Sequence, residues 1–136
     1  MNTKYDRSRE ALRERLSTEQ FEVTQDRGTE VAFSGAYYDC RTPGSYRCIC
    51  CGSDLFRSSE KYDSGTGWPS FFAPVTSAAV TIREDRSHGM VRDEVSCSNC
   101  GSHLGHVFPD GPKPSGFRYC INSAALNLAP SREVDN

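Results

Sequence analysis

Two short cysteine pairs constrain this sequence more than any other feature. Cys48 and Cys51 are separated by two residues, as are Cys97 and Cys100, and a glycine follows each pair. Each pair can form a tight turn that presents two thiolates, and zinc in structural sites prefers four thiolates arranged tetrahedrally. Chance pairing of buried cysteines and a redox pair are the alternative interpretations. We predict one structural Zn²⁺ bound by all four residues, with no open coordination position for catalysis.

Length and charge narrow the class of protein. The chain has 136 residues, seven cysteines and a formal net charge of −2 at pH 7, which suits one domain over residues 1–136 and argues against nucleic-acid binding. No stretch is apolar enough for a signal peptide or a membrane span. The odd cysteine count favours metal and redox chemistry over a disulfide framework. We therefore expect a cytoplasmic monomer without membrane contact.

Short-range signals predict helices first and strands afterwards. Residues 1–16 are expected to form a helical extension, and Ser17 with Gln20 has the form of a capping box that starts a second short helix. After these helices, turn-forming residues separate short runs of β-forming residues, which predicts a compact antiparallel β structure. A hairpin loop is expected at residues 85–89 and a loose tail at residues 129–136.

Cys120 has the most informative surroundings of the three remaining cysteines. In a strand, Arg118, Cys120 and Asn122 face one side, while Tyr119 and Ile121 face the other. A nearby cation lowers the pKa of a thiol, and an amide can position a neighbouring polar group. A buried, inert cysteine is the alternative interpretation. We predict that Cys120 is the reactive nucleophile.

Two histidines and the single tryptophan complete the candidate site. His103 and His106 would face opposite sides of a regular strand, but Gly105 between them permits a bulge that brings both rings to one side. Histidine donates protons near neutral pH, so both are candidate catalytic residues, with a structural role as the alternative for each. Trp68 lies on a glycine-flanked loop and offers an apolar face that suits a methyl group, unless it packs in the core.

Together these segments resemble the B-type methionine sulfoxide reductases, one of two enzyme types that each reduce one epimer of methionine sulfoxide. The resemblance covers the chain from about Ser17 to Leu128, with motifs in agreeing order and spacing. The motifs that carry it are residues 46–52, 63–71, 97–108 and 118–123. The fold implied is mainly β, with two antiparallel sheets that are rolled and barrel-like, short N-terminal helices and a peripheral zinc site.

The activity implied by this resemblance is reduction of the R epimer of methionine sulfoxide, in peptides or proteins, to methionine. The Cys120 thiolate would attack the sulfoxide sulfur while His103 or His106 protonates the oxygen, which leaves Cys120 as a sulfenic acid. The resemblance also implies that Trp68 holds the methyl group of the substrate. Arg118 and Asn122 would tune the Cys120 thiolate and position the histidines.

One residue departs from the family pattern. Many members carry a recycling cysteine where this chain has Thr66, and a hydroxyl cannot form a disulfide. Cys40 is the first candidate to replace it, because the turn-rich segment 37–44 can be mobile. Cys50 is the second candidate, and direct reduction of Cys120 by a small thiol is the third possibility. An internal disulfide would imply thioredoxin as the final reductant.

Two other classes of zinc protein are alternatives to this enzyme. A non-catalytic, zinc-ribbon-like interaction module uses the same four-cysteine site purely as a scaffold, and it predicts no reaction at Cys120. A zinc deaminase requires a His-x-Glu signature and a metal-bound water, and the sequence offers neither. The interaction module is therefore the alternative that experiments must separate from the enzyme.

Overall fold

Two short helices precede nine strands in the computed structural model, which describes residues 8–86 and 89–131. The helices are α1 (Arg9–Arg15) and α2 (Thr18–Gln25). The strands are β1 (Gly44–Cys48), β2 (Asp54–Arg57), β3 (Lys61–Tyr62), β4 (Ser70–Phe71), β5 (Val80–Asp85), β6 (Arg92–Cys97), β7 (His103–Phe108), β8 (Arg118–Ile121) and β9 (Leu126–Pro130).

The strands form two antiparallel sheets. The smaller has the order β2-β1-β9, and the larger has the order β3-β4-β8-β7-β6-β5. The predicted mainly β fold with two antiparallel sheets and short N-terminal helices is confirmed. Both sheets are open in the described part of the chain, so it contains no closed barrel.

The capping box at the start of α2 is confirmed. The Ser17 hydroxyl accepts a hydrogen bond from the Gln20 amide at 3.1 Å, and the Gln20 side chain accepts one from the Ser17 amide at 2.8 Å. Leu12 of α1 and Phe21 of α2 are buried in the core. Within the expected helical extension, residues 9–15 form α1, and residues 1–7 lie outside the described part. No helix within residues 8–86 and 89–131 has the length and apolar character needed to cross a membrane.

Aromatic side chains fill the space between the sheets. Phe56 of β2 and Phe71 of β4 stack with ring centroids 4.5 Å apart, and Tyr46 of β1 meets Phe71 edge-on at 5.3 Å. Tyr119 of β8 lies 5.9 Å from Phe56. Because neighbouring strand residues point to opposite faces, this contact directs the side chain of Cys120 away from the core.

Residues 129 and 130 are more ordered than the sequence predicts. Ala129 and Pro130 belong to β9 and pair with Ser45 and Gly44 of β1, so the expectation of a loose tail from residue 129 is wrong for these two residues. Without β9, β1 would expose a row of unpaired backbone groups at its edge. The predicted hairpin is present between β5 and β6, although residues 87 and 88 of its loop lie outside the described part.

Gly105 allows β7 and β8 to approach closely, and its replacement should test this contact. A Cβ atom at this position would lie 2.0 Å from the carbonyl oxygen of Cys120, which is backbone and cannot move aside. We expect Gly105→Ala to lower the free energy of unfolding by roughly 1–3 kcal/mol, the usual cost of overpacking. Gly28→Ala is the control, since its nearest atom would be 3.3 Å away. Equal stability of the two variants in urea denaturation would contradict the close approach.

Candidate active site and cysteine cluster

The predicted cysteine ligands meet at one point. The ligand atoms of Cys48, Cys51, Cys97 and Cys100 all lie within 4.8 Å of one another, and two of the sulfur pairs are 3.6 Å apart. A disulfide would need about 2.05 Å, whereas four sulfurs around zinc are separated by about 3.8 Å, given a Zn–S bond of about 2.3 Å. The cluster therefore has the donors and the spacing to hold a metal ion.

Both cysteine pairs form the tight turn that the following glycine was predicted to allow. Gly52 and Gly101 each have φ of 80°, a conformation that costs other residues energy. Their amides return to the first cysteine of each pair, bonding the carbonyls of Cys48 at 2.9 Å and Cys97 at 2.7 Å. Cys50 lies inside the first turn but outside the cluster.

Cys120 opens into a separate cavity of about 290 Å³. Arg118 and Asn122, each two positions from Cys120, line the same cavity, as the alternation predicted for this strand requires. Predicted site residues that line it are Trp68, His106, Arg118, Cys120 and Asn122. Two other predicted site residues, His103 and Cys40, line other cavities.

Burial and charge act in opposite directions on Cys120. Burial raises the pKa of the Cys120 thiol above its ordinary value, while the charge of Arg118 and hydrogen bonds from Thr66 and Arg118 lower it, and the net shift is upward. Arg118 is fixed by two hydrogen bonds to Asp110, at 2.9 and 3.1 Å, and lies 4.4 Å from the ring centroid of Phe108. The cation beside the thiol is therefore held in place.

The two histidines lie close together, as the predicted bulge requires. The register of β7 against β6 shifts between His103 and His106, and the ring centroids are 5.4 Å apart. His106 pairs with Cys120 across the strands, and its Nε2 lies 2.9 Å from Asp85. His103 bonds Glu94 at 2.7 Å through Nδ1. Burial lowers the pKa of His103, partly opposed by Glu94, so a neutral ring is favoured there.

Glu30 is a site residue that sequence reasoning missed. Its side chain is only 3% exposed, and its carboxylate accepts a hydrogen bond from the Ala124 amide at 2.9 Å. Its backbone carbonyl binds the indole nitrogen of Trp68 at 3.0 Å, and its amide donates to Asn122 at 3.0 Å. Burial raises the pKa of Glu30, against the backbone amides that favour its charge. A lone glutamate after a helix carries no pattern that would reveal this role.

Asn122 contacts backbone atoms rather than a histidine ring. Its side-chain oxygen accepts from Glu30, and its nitrogen donates to the carbonyl of Leu104 at 2.9 Å. Leu104 follows His103 directly in β7. Any influence of Asn122 on the histidines is therefore exerted through the backbone of β7.

Cys40 lines a cavity of about 200 Å³, apart from that of Cys120. Partial burial disfavours its thiolate, but hydrogen bonds from Thr42 and Tyr46 and the charge of Lys61 outweigh this effect, so the pKa of Cys40 is lowered. The Lys61 ammonium donates to the Cys40 carbonyl at 3.0 Å. In this structure the two thiols line separate cavities and form no disulfide with each other.

The two thiols should react with an alkylating agent in a fixed order along a pH series. Since the pKa of Cys40 is lowered and that of Cys120 is raised, iodoacetamide should modify Cys40 at lower pH, as measured by mass spectrometry of the separate peptides. Arg118→Gln should move Cys120 modification to still higher pH, because the stabilising cation is lost. Arg47→Gln, which removes a cation paired with Asp54 on the other sheet, is the control. The reverse order of modification would contradict these shifts.

Comparisons with known proteins cover nearly the whole chain. The family model described as the SelR domain matches residues 16–130. The peptide methionine sulfoxide reductase MsrB of Pseudomonas aeruginosa is 57% identical over 128 residues, which are 94% of this chain and 97% of that protein. The protein of the same name from Saccharophagus degradans is 59% identical over 119 residues, 88% of this chain and 89% of that protein. The matched residues include the cysteine cluster and the whole Cys120 cavity.

Proposed function

The chain belongs to the SelR domain family and is an oxidoreductase of the MsrB type; on this basis we propose that it reduces the R epimer of methionine sulfoxide to methionine at Cys120. One observation carries the assignment of the site. The proposal is supported by the pairing of His106 with Cys120 across β7 and β8, since an imidazole and a half-buried thiol then line one cavity together with Trp68.

The reaction transfers one oxygen atom from substrate to enzyme. The Cys120 thiolate attacks the sulfoxide sulfur, and a histidine protonates the sulfoxide oxygen. This attack forms a bond between the two sulfur atoms. The hydroxyl on the substrate sulfur then transfers to the Cys120 sulfur: the new S–O bond forms as the S–S bond and the S–O bond of the substrate break, methionine leaves, and Cys120 is left as a sulfenic acid. The proton lost when Cys120 ionises balances the proton delivered to the oxygen. Of the two histidines, His106 is the favoured donor because it lines the same cavity as Cys120.

The neighbouring side chains hold the substrate and the thiolate. Trp68 is anchored by its indole nitrogen, so its ring is available to contact the methyl group of the substrate. Arg118 stabilises the Cys120 thiolate through its charge. Asn122 fixes the backbone of β7 next to His103, which supports the position of both histidines.

Recycling requires a second thiol, and we assign this role to Cys40. Its thiolate attacks the sulfenic sulfur of Cys120, hydroxide leaves as water after protonation, and a Cys40–Cys120 disulfide forms. The lowered pKa of Cys40 favours the attacking form. Thioredoxin, a dithiol, then reduces the disulfide to two thiols. Cys50 is a poorer candidate because it is fully buried inside the first cysteine turn.

The cysteine cluster is proposed to bind one structural Zn²⁺. Four thiolates at these separations suit zinc and leave it no open position, so the ion would stabilise the fold and take no part in the reaction. The same proposal treats residues 1–136 as one domain, working as a cytoplasmic monomer on oxidised methionine in peptides or proteins. None of the seven cysteines, all of which lie in the described residues, forms a disulfide, which suits a reducing compartment.

Loss of zinc should destabilise the fold. We expect Cys97→Ser to lose stoichiometric zinc and about 4 kcal/mol or more of unfolding free energy, the contribution of a ligand present at about 1,000 times its Kd. Metal analysis and urea denaturation measure the two quantities. Cys50→Ser is the control, because Cys50 is a buried cysteine inside the first cysteine turn but is not in the cluster. A zinc content that is equal in both variants would contradict the proposed ligand set.

A chiral assay tests the proposed activity directly. Peptides that contain separated R or S methionine sulfoxide are incubated with the protein and dithiothreitol, which can reduce Cys120 without a second enzyme thiol. Only the R epimer should be reduced, and Cys120→Ser should abolish the reaction while zinc and fold are retained. No reduction of either epimer by folded, zinc-loaded protein would support the interaction module instead.

The same assay with thioredoxin tests the recycling cysteine. Cys40→Ser should lose turnover with thioredoxin but keep it with dithiothreitol, because only the enzymatic reductant depends on the internal disulfide. Cys50→Ser serves as the control and should keep both activities. Unchanged thioredoxin-dependent turnover in Cys40→Ser would assign recycling to Cys50 or to direct reduction of Cys120.

A further inference from the structure

A cluster of ionic side chains lies directly behind His106. A second cavity, of about 380 Å³, adjoins that of Cys120, and His106 and Arg92 line both. Asp85, at the end of β5, is only 6% exposed and lies 2.9 Å from the Nε2 atom of His106. From the sequence, Asp85 is predicted only to lie in a hairpin loop.

The hydrogen bond to Asp85 determines which nitrogen of His106 carries a proton. Two guanidinium groups, from Arg27 at 3.5 Å and Arg92 at 3.7 Å, lie beside the Asp85 carboxylate and favour its charged form. A charged carboxylate only accepts hydrogen bonds, so the Nε2 atom of His106 must be the donor. The neutral ring then has its proton on Nε2, and Nδ1 is the nitrogen left for the substrate.

The charged surroundings of His106 come from four strands and the loop after α2. Asp85 of β5 and Arg92 of β6 lie behind the ring, and Arg27 bridges Asp85 and Glu94. His103 of β7 meets the ring edge-on, and Arg118 and Cys120 of β8 line the cavity in front of it. Among these groups, Asp85 forms the hydrogen bond to the ring that fixes its orientation.

We propose that Asp85 is a positioning residue for the sulfoxide reduction. It holds His106 with Nε2 protonated, so that Nδ1 is the atom from which the proton is donated to the substrate. The protonated ring donates the Nδ1 proton to the sulfoxide oxygen. The Nε2–H bond to Asp85 is kept throughout, so the ring returns to neutrality without rotating. No proton passes to Asp85, whose part is orientation and the support of the charged imidazolium. This inference rests on the proposed function.

Nitrogen NMR of the wild-type protein tests the inference without altering Asp85. In ¹⁵N-histidine-labelled protein, the two neutral tautomers have different ring nitrogen shifts, and His106→Gln identifies the signals of His106 among the three histidines of the chain. Neutral His106 should carry its proton on Nε2. A proton on Nδ1 would overturn the inference, whether or not the protein reduces methionine sulfoxide.

Single-turnover kinetics test the consequence for the reaction. Asp85→Asn introduces an amide that can donate to Nε2 and so favours the opposite tautomer. The rate of methionine formation should fall about 100-fold, the lower range for disabling a general acid, with the KM for the peptide unchanged. Asp85→Glu keeps the acceptor and should restore part of the rate and the Nε2–H signal.

Matched controls separate orientation from a general loss of structure. Asp93→Asn removes an exposed carboxylate from the same hairpin and should leave the rate and the tautomer unchanged. Arg27→Gln removes the cation shared by Asp85 and Glu94 but not the His106 bond, so the Nε2–H signal should persist. If Asp85→Asn reacts as fast as Asp93→Asn, the inference is overturned. If the wild type reduces neither epimer, the proposed function fails, while the NMR result still decides the role of Asp85 in holding the ring.

Discussion

Contact between the two cysteine pairs is the constraint on which the rest of the structure depends. Cys48 ends β1 of the smaller sheet and Cys97 ends β6 of the larger one, so the cluster ties the two sheets together at one point. Strand β7 begins at His103, three residues after Cys100. The cluster thereby fixes the start of the strand that carries both histidines.

Strand β8 serves the core and the candidate site at once. Tyr119 packs against Phe56 in the core, and Cys120 faces the cavity because adjacent residues point to opposite sides. The contact with Gly105 of β7 leaves no room for a side chain between the two strands. This is why the thiol is partly buried, and burial raises the pKa of Cys120. A compact core and an easily ionised thiol are thus opposing demands, which Arg118 reconciles only in part.

Local patterns in the sequence predicted much of the fold and of the site. The capping box, the cysteine turns and the alternation in β8 involve residues within a few positions of one another, so their geometry follows from spacing. Glu30, Asp85 and Glu94 were not predicted as site residues, because their partners are distant in the chain and each looks like an ordinary surface charge. The order in residues 129 and 130 was missed for the same reason, since it depends on pairing with β1.

The threonine at position 66 acts on the thiol in a way that a second cysteine would not. Its hydroxyl donates a hydrogen bond that lowers the pKa of Cys120, and a thiol is a weaker donor. The proposed recycling thiol, Cys40, lies in a cavity where Lys61 and hydrogen bonds lower its own pKa. In this proposal Thr66 stabilises the Cys120 thiolate, and Cys40 attacks the oxidised Cys120. Two different residues therefore perform these two tasks. The proposed disulfide would therefore need two thiols that line separate cavities to come together, whereas the proposed oxygen transfer to Cys120 needs no second thiol.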